Sequence, residues 1–210
     1  MSLAPSHFAR TRIASSIALL VGITASCTSV GSSSASPFRS APAPADRPSL
    51  LISIMGGSRS LDDDVAWDEI DQPAVFGLES ASLGDPLGLE VGLSFATDDT
   101  TVSGVDVTNS FLETWVGGRA TFGDGPLLPY VGAGLSLVLA RVEGESGGTS
   151  VSDDDTGVGL YLHAGVLYLI GGRFFVGVDA RILTGASVEL FGIDTDADYT
   201  QIAGVVGWGI

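Results

Sequence analysis

The sequence predicts an all-β fold, an eight-stranded antiparallel up-and-down transmembrane β-barrel. Three observations predict it. Apolar residues recur at every second position in eight segments of about ten residues, the length a tilted strand needs to cross a bilayer. Acid-loaded stretches and short turns rich in Gly or Pro alternate between those segments. The number of segments is even, as single-chain bacterial barrels require.

The elements follow in order. A strand over 49–58 (SLLISIMGGS) precedes a loop with Asp62, Asp63, Asp64, Asp68, Glu69 and Asp71. A second, over 74–82, ends in the turn Gly84-Asp85-Pro86, and a third, over 87–97, leads to a loop with Asp98, Asp99 and Asp106. The fourth, over 110–122, ends at Gly123-Asp124-Gly125-Pro126. The fifth, over 129–141, enters a long loop with Glu143, Glu145, Asp153, Asp154 and Asp155. The sixth, over 157–169, turns at Gly171-Gly172 into the seventh, over 173–184. A last loop with Glu189, Asp194, Asp196 and Asp198 precedes the eighth, over 199–210. The four loops hold eighteen of the 25 acidic residues, and the three turns hold only Asp85 and Asp124. That asymmetry predicts long external loops and short periplasmic turns, with both termini on the periplasmic side.

Charge excludes one class of function. The chain has no lysine, and its net charge is −16, so it has no basic surface for nucleic acid. High acidity here accompanies 45% hydrophobic residues, which is not the composition of a disordered chain. Charge and apolar surface are therefore segregated along the sequence.

Residues 1–26 read as a secretory signal. Arg10 and Arg12 precede the apolar run Ile13–Ile23, and small residues at Thr24-Ala25-Ser26 precede a cut. Cys27, the only cysteine, follows at once. This pattern resembles a bacterial lipoprotein signal, which implies lipidation of Cys27; the family prefers Leu where Thr24 stands. Residues 27–48 are rich in Ser, Ala and Pro and read as a flexible linker. The barrel domain is placed at 49–210.

Period two alone does not say which face is inside, because a soluble lipocalin-like barrel has the same period with its faces exchanged. Side-chain size decides. Leu112, Val116, Ala120 and Phe122 oppose Glu113, Trp115, Gly117 and Arg119 in the fourth strand. Phe174, Val176, Val178, Ala180 and Ile182 oppose Phe175, Gly177, Asp179 and Arg181 in the seventh. A face of glycine and serine with sparse ions suits a cramped eight-stranded lumen, whereas a water-facing surface carries more charge. Phe122, Tyr168, Phe174 and Trp208 lie on the apolar face at the short-turn end, as an interfacial aromatic girdle does. These patterns over 49–210 resemble the outer-membrane β-barrel domain superfamily, and in particular its small eight-stranded members. The family often ends in an aromatic residue, whereas this chain ends in Gly207-Trp208-Gly209-Ile210.

The expected lumen network is Glu79, Glu90, Glu113, Arg119, Tyr161, His163, Asp179 and Arg181, ions that must pair because an unpaired buried charge is costly. Some barrels of this superfamily are lipid-modifying enzymes, but no nucleophile is placed beside His163, so no catalytic residue is assigned. No metal site or cofactor is assigned either. Asp62-Asp63-Asp64 and Asp153-Asp154-Asp155 are carboxylate clusters open to divalent cations, but neither matches the spaced EF-hand pattern. The expected partner is outer-membrane lipid, with the chain a monomer. The expected role is structural or surface-interacting; a lipid-anchored soluble barrel binding a small apolar ligand is the alternative.

Overall fold

A computed structural model describes residues 48–62, 72–84, 86–102 and 104–210. Eight strands form the barrel: β1 (Leu50–Leu61), β2 (Ala74–Ser82), β3 (Gly88–Val102), β4 (Val105–Thr121), β5 (Leu127–Ser146), β6 (Thr149–Ile170), β7 (Phe174–Thr184) and β10 (Tyr199–Gly209). Each pairs antiparallel with its neighbours, and β1 closes on β10 from Leu51↔Gly209 to Leu61↔Tyr199. A short hairpin, β8 (Ser187–Leu190) and β9 (Ile193–Asp196), interrupts the connection from β7 to β10. The closed sheet leaves no strand edge along the barrel wall, which a lipid solvent requires.

Burial separates the two faces. Leu89, at 73% exposure, and Val91, Leu93 and Leu135 point outward, while Arg59, Glu90, Glu113 and Arg181 are buried inside. This inverts the soluble barrel, whose apolar face lies within. The interior is layered along the strands. Toward the short-turn end, Leu51, Leu128, Leu167, Phe175 and Val205 fill it; toward the acid end, Leu61, Val75, Phe111, Val138, Ala140 and Leu183 do. The buried ions lie between these sets in strand order: on β7, Asp179 and Arg181 fall between Phe175 and Leu183.

The structure corrects two loop expectations. Asp98, Asp99 and Asp106 are strand residues in the β3–β4 hairpin, where Asp98 faces Asn109 and Thr101 faces Asp106. Glu143, Glu145 and Asp153–Asp155 likewise belong to β5 and β6, which pair up to Ser146↔Thr149. The reason lies in the intervening residues. Val102, Val105, Val107, Val142 and Val151 with nearby threonines favour extended backbone, and outside a bilayer water solvates acidic side chains on either face. Pairing satisfies the backbone with no loop. The β5–β6 turn is only Gly147-Gly148, at φ 58° and 80°, which matches the twist of flanking strands.

The last acidic loop is also structured. Its hairpin folds inward against β6, burying Ala186, Val188, Leu190 and Ala197. A Cβ on inward-facing Gly157 would meet Val188, and one on Gly159 would meet Ala186, so these glycines make room for the hairpin. Acids hold it in place. Asp198 accepts hydrogen bonds from the Gly185 and Ala186 N–H groups; Asp155 Oδ2 accepts the Glu189 N–H at 2.7 Å; Asp153 Oδ2 accepts the Phe191 N–H at 2.5 Å. The expected loop residues Asp63, Asp64, Asp68, Glu69 and Asp71, and the turn residue Asp85, lie outside the described residues, as do the leader and Cys27.

Asp155 lies beyond the last β6–β7 pair, Leu160↔Thr184. The N–H groups of Glu189 and Thr156 hold its carboxyl below the usual value of 3.8. A carboxyl lowered by folding stabilises above its unfolded value and loses that contribution as pH falls through the folded one. The Glu189 amide should therefore lose hydrogen-exchange protection as pH drops below about 3.8 while the barrel stays closed. Asp155→Asn should show weaker protection at neutral pH; equal protection in that variant would remove Asp155 as the anchor.

Candidate functional site

The inward residues of all eight barrel strands meet in two ion clusters. In the first, Arg119 Nε donates to Glu90 Oε2 at 2.7 Å, and Arg119 Nη2 makes a short hydrogen bond to Glu79 Oε1. Tyr161 Oη donates to Glu90 Oε1 at 2.6 Å, and Tyr130 Oη donates to Asp179 Oδ2 at 2.7 Å. His163 lies between two carboxylates, with Nε2 2.9 Å from Glu90 Oε1 and Nδ1 2.9 Å from Asp179 Oδ2. The second cluster centres on Glu113. It accepts from Arg59 Nη2 at 2.5 Å, Ser136 Oγ at 2.6 Å and Tyr199 Oη at 2.7 Å, while Gln201 Oε1 accepts from Arg59 Nε. Arg181 stands between the clusters, 3.7 Å from both Glu79 Oε2 and Glu113 Oε1.

Each guanidinium also lies over an aromatic face. Arg59 Cζ is 3.7 Å from the Tyr199 centroid, Arg119 Cζ 4.2 Å from Tyr130, and Arg181 Cζ 3.9 Å from Trp115. A desolvated cation–π contact contributes about 2 kcal/mol, and the rings fill volume at the same time.

The structure brings all eight expected lumen residues inside and joins them: Glu79, Glu90, Glu113, Arg119, Tyr161, His163, Asp179 and Arg181 are buried. Sequence reasoning missed Arg59, Tyr130, Tyr199, Gln201, Ser94 and Ser136. Their signal was parity: Arg59 shares the face of Leu51, Ser53 and Met55, and Tyr199 shares that of Gln201 and Ala203. The four aromatics expected to form a girdle sit at the short-turn end. Phe122, Tyr168 and Trp208 are exposed on the outer face, and Trp208 pairs across from half-buried Phe174.

The chemistry available to this site is limited. Glu79, Glu90 and His163 offer ligand atoms within 4.8 Å of one another, yet Arg119 already hydrogen-bonds both carboxylates, so a cation already occupies the place a metal would take. Both His163 nitrogens face carboxylates rather than a hydroxyl nucleophile. A recess of about 330 Å³ lies among outward-facing Val91, Thr114, Val116, Leu135, Leu137 and Val158 and carries no titratable group. At the acid end, both oxygens of Asp153 and Oδ2 of Asp155 accept backbone N–H groups.

Arg119→Ala would leave Glu79 and Glu90 without their shared cation. Removing one partner of a buried ion pair costs about 3–5 kcal/mol. The variant should unfold at lower denaturant in detergent and lose the heat-modifiable gel shift at a lower temperature. Unchanged migration and unfolding would show that the cluster does not stabilise the barrel.

Comparison with known proteins agrees with this architecture. A family model described as "Outer membrane protein beta-barrel domain" matches residues 25–209. No curated protein matches in sequence. Among solved structures, the chain is similar to Ail, the attachment invasion locus protein of Yersinia pestis, in complex with the heparin analogue sucrose octasulfate. That likeness has 14% identity and a TM-score of 0.53, covering 78% of this chain and 99% of Ail. It is also similar to Neisserial surface protein A, at 14% identity and a TM-score of 0.51, covering 77% of this chain and 96% of that one. At such identity the likeness carries the fold alone. The family match spans most of the chain, and with the closed eight-stranded sheet and its apolar exterior it places the protein: the chain belongs to the outer membrane protein beta-barrel domain family, whose members reside in the bacterial outer membrane.

Proposed function

We propose that this barrel serves as a scaffold in the outer membrane that presents its acid end outside the cell as an interaction surface, with no catalytic role. The observation that carries the reading is the separation of charge along the molecule. Thirteen described carboxylates lie on the acid end, against one exposed cation there, Arg141, already paired with Glu143 at 3.3 Å. Both ends of the barrel chain, Leu50 and Gly209, lie with the three short turns at the opposite end. That arrangement supports periplasmic termini, external hairpins and a girdle of Phe122, Tyr168, Phe174 and Trp208 at the inner interface. It also fits Cys27 as a lipid anchor on the periplasmic side, joined to β1 by the Ser/Ala/Pro-rich linker.

The partner that fits is cationic. Asp106 faces Glu145 and Glu189 faces Asp194 across strand pairs, and like charges directly opposite are destabilising. Beside the second pair, the tip of the β8–β9 hairpin holds Phe191 at φ 53°, a conformation rare for a bulky residue. Phe191 is 52% exposed and Ile193 67%. An outward aromatic held at a backbone cost and ringed by acid suits a protein surface with an apolar pocket bordered by Arg or Lys. A polysulfated sugar, such as the ligand in the Ail complex, would be repelled. Divalent cations are weaker candidates, because Asp153 and Asp155 already serve the hairpin.

Orientation is tested by labelling. Ser150→Cys, in a Cys27→Ser background, should react with a membrane-impermeant maleimide on intact cells. Asp124→Cys should react only after the outer membrane is permeabilised, and the reverse pattern would invert the barrel. The surface is tested with an immobilised peptide alternating arginine and leucine. Phe191→Gly, which removes both the ring and the φ cost, should keep or raise thermal stability while weakening capture roughly tenfold, the loss of one buried anchor. Equal capture by the variant, or capture of a sulfated sugar by the parent, would refute the cationic-partner reading.

A further inference from the structure

We propose that ordered water occupies the barrel interior among Arg181, Trp115 and Asp179, and that this water joins the two ion clusters into one network. Three of these residues' donors and one acceptor are buried without a hydrogen-bond partner among the described residues. They are Arg181 Nε and Nη2, Trp115 Nε1 and Asp179 Oδ1. The residues are 1%, 2% and 3% exposed, respectively. Buried polar groups in folded proteins are almost always satisfied by protein or by water, so a cluster of four orphans in one place demands a ligand.

The orphans are neighbours. The Arg181 guanidinium stacks 3.9 Å from the Trp115 centroid and 4.7 Å from that of Tyr161. Asp179 precedes Arg181 by two residues on β7, on the same inward face. The nearest carboxylate oxygens, Glu79 Oε2 and Glu113 Oε1, are each 3.7 Å from Arg181, too far for a direct hydrogen bond. A polar contact at that range in a dry core is where a bridging molecule sits. Arg119 and Arg59 have no such gap, since each touches its carboxylates directly.

Charge chooses the ligand. Three unpartnered donors call for an acceptor, but four carboxylates (Glu79, Glu90, Glu113 and Asp179) repel an anion. The three arginines Arg59, Arg119 and Arg181 repel a cation. Water accepts from Arg181 and Trp115 and donates to Asp179 and the glutamates, so it alone meets both needs without adding charge. The apolar layers at either end, such as Phe175 and Leu167 on one side and Leu183 and Phe111 on the other, isolate it from bulk solvent. The interior is hydrated and sealed, and Arg181 couples its halves through that water.

Water–protein cross-relaxation in detergent micelles tests this, on the full chain with 15N-labelled tryptophan. The Trp115 indole Hε1 should show a cross-peak to long-lived water, and Trp115→Phe identifies the signal by removing it. Tyr161→Phe should leave the cross-peak; its loss there would mean relay through the hydroxyl and would overturn the proposal. Arg181→Met should abolish or strongly weaken it while the folded gel migration persists. Where Arg181→Met does not fold, Arg181→Lys reads the same loss, with fewer donors and the charge kept. A Trp115 signal with no water cross-peak, or one undiminished in the Arg181 variant that folds, would show that the clusters meet without water.

Discussion

An eight-stranded barrel is just wide enough for side chains to fill it, so every charge placed inside must be met by another. The rest of this structure depends on that pairing. Arg119 between Glu79 and Glu90, and Arg59 on Glu113, tie β1, β2, β3 and β4 together across the lumen rather than along the sheet. His163 and Asp179 carry the connection to β6 and β7. Backbone pairing closes the cylinder, while the ions and rings set how tightly it closes. Space is shared in the same way. Gly92 lies where a Cβ would strike the Trp115 ring, and Gly132 where one would strike His163. Large inward side chains therefore lie against bare backbone on the adjoining strand.

This arrangement shows why faces were legible in the sequence and partners were not. Strict alternation on β4 and β7 assigned Glu113, Arg119, Asp179 and Arg181 to the interior, because a one-residue slip would turn every one of them toward lipid. Alternation does not say who meets whom. Glu113 finds Arg59 from β1 and Tyr199 from β10, residues 54 and 86 positions away in sequence. Arg59 was missed because it falls one residue past the expected end of its strand, where serines and the coming acids suggest a loop. Tyr130 and Tyr199 were missed because a tyrosine with inward parity reads as filler until its hydroxyl is seen on Asp179 or Glu113.

The acid end was misjudged for a related reason. Composition said loop, whereas periodicity, continued through Val102–Val107 and Val142–Val151, said strand. Inside a bilayer the acids would have decided the matter. Beyond it they cost little, and pairing up to the Gly147-Gly148 turn satisfies the backbone N–H and C=O groups of both strands. The acids then take on a second task. Asp153, Asp155 and Asp198 accept the N–H groups of the β8–β9 connection, which would otherwise seek water. Charge that looks like a solvated fringe in sequence is, at these three positions, the fastening of a hairpin over the barrel.

The interior also sets a condition on protons. A neutral imidazole has one N–H, yet His163 presents a nitrogen to Glu90 and the other to Asp179, both at 2.9 Å. Two ionised carboxylates accept only, so the trio must hold one proton more than a neutral ring and two carboxylates provide. Among the described residues the buried charges are four carboxylates and three guanidiniums. The additional proton brings that sum to zero. Neutrality, rather than any single ion pair, is what allows so many charges to lie inside a sealed barrel. His163 is the residue that completes it, its ring edge-on between those of Tyr130 and Tyr161 and its two nitrogens turned to Glu90 and Asp179.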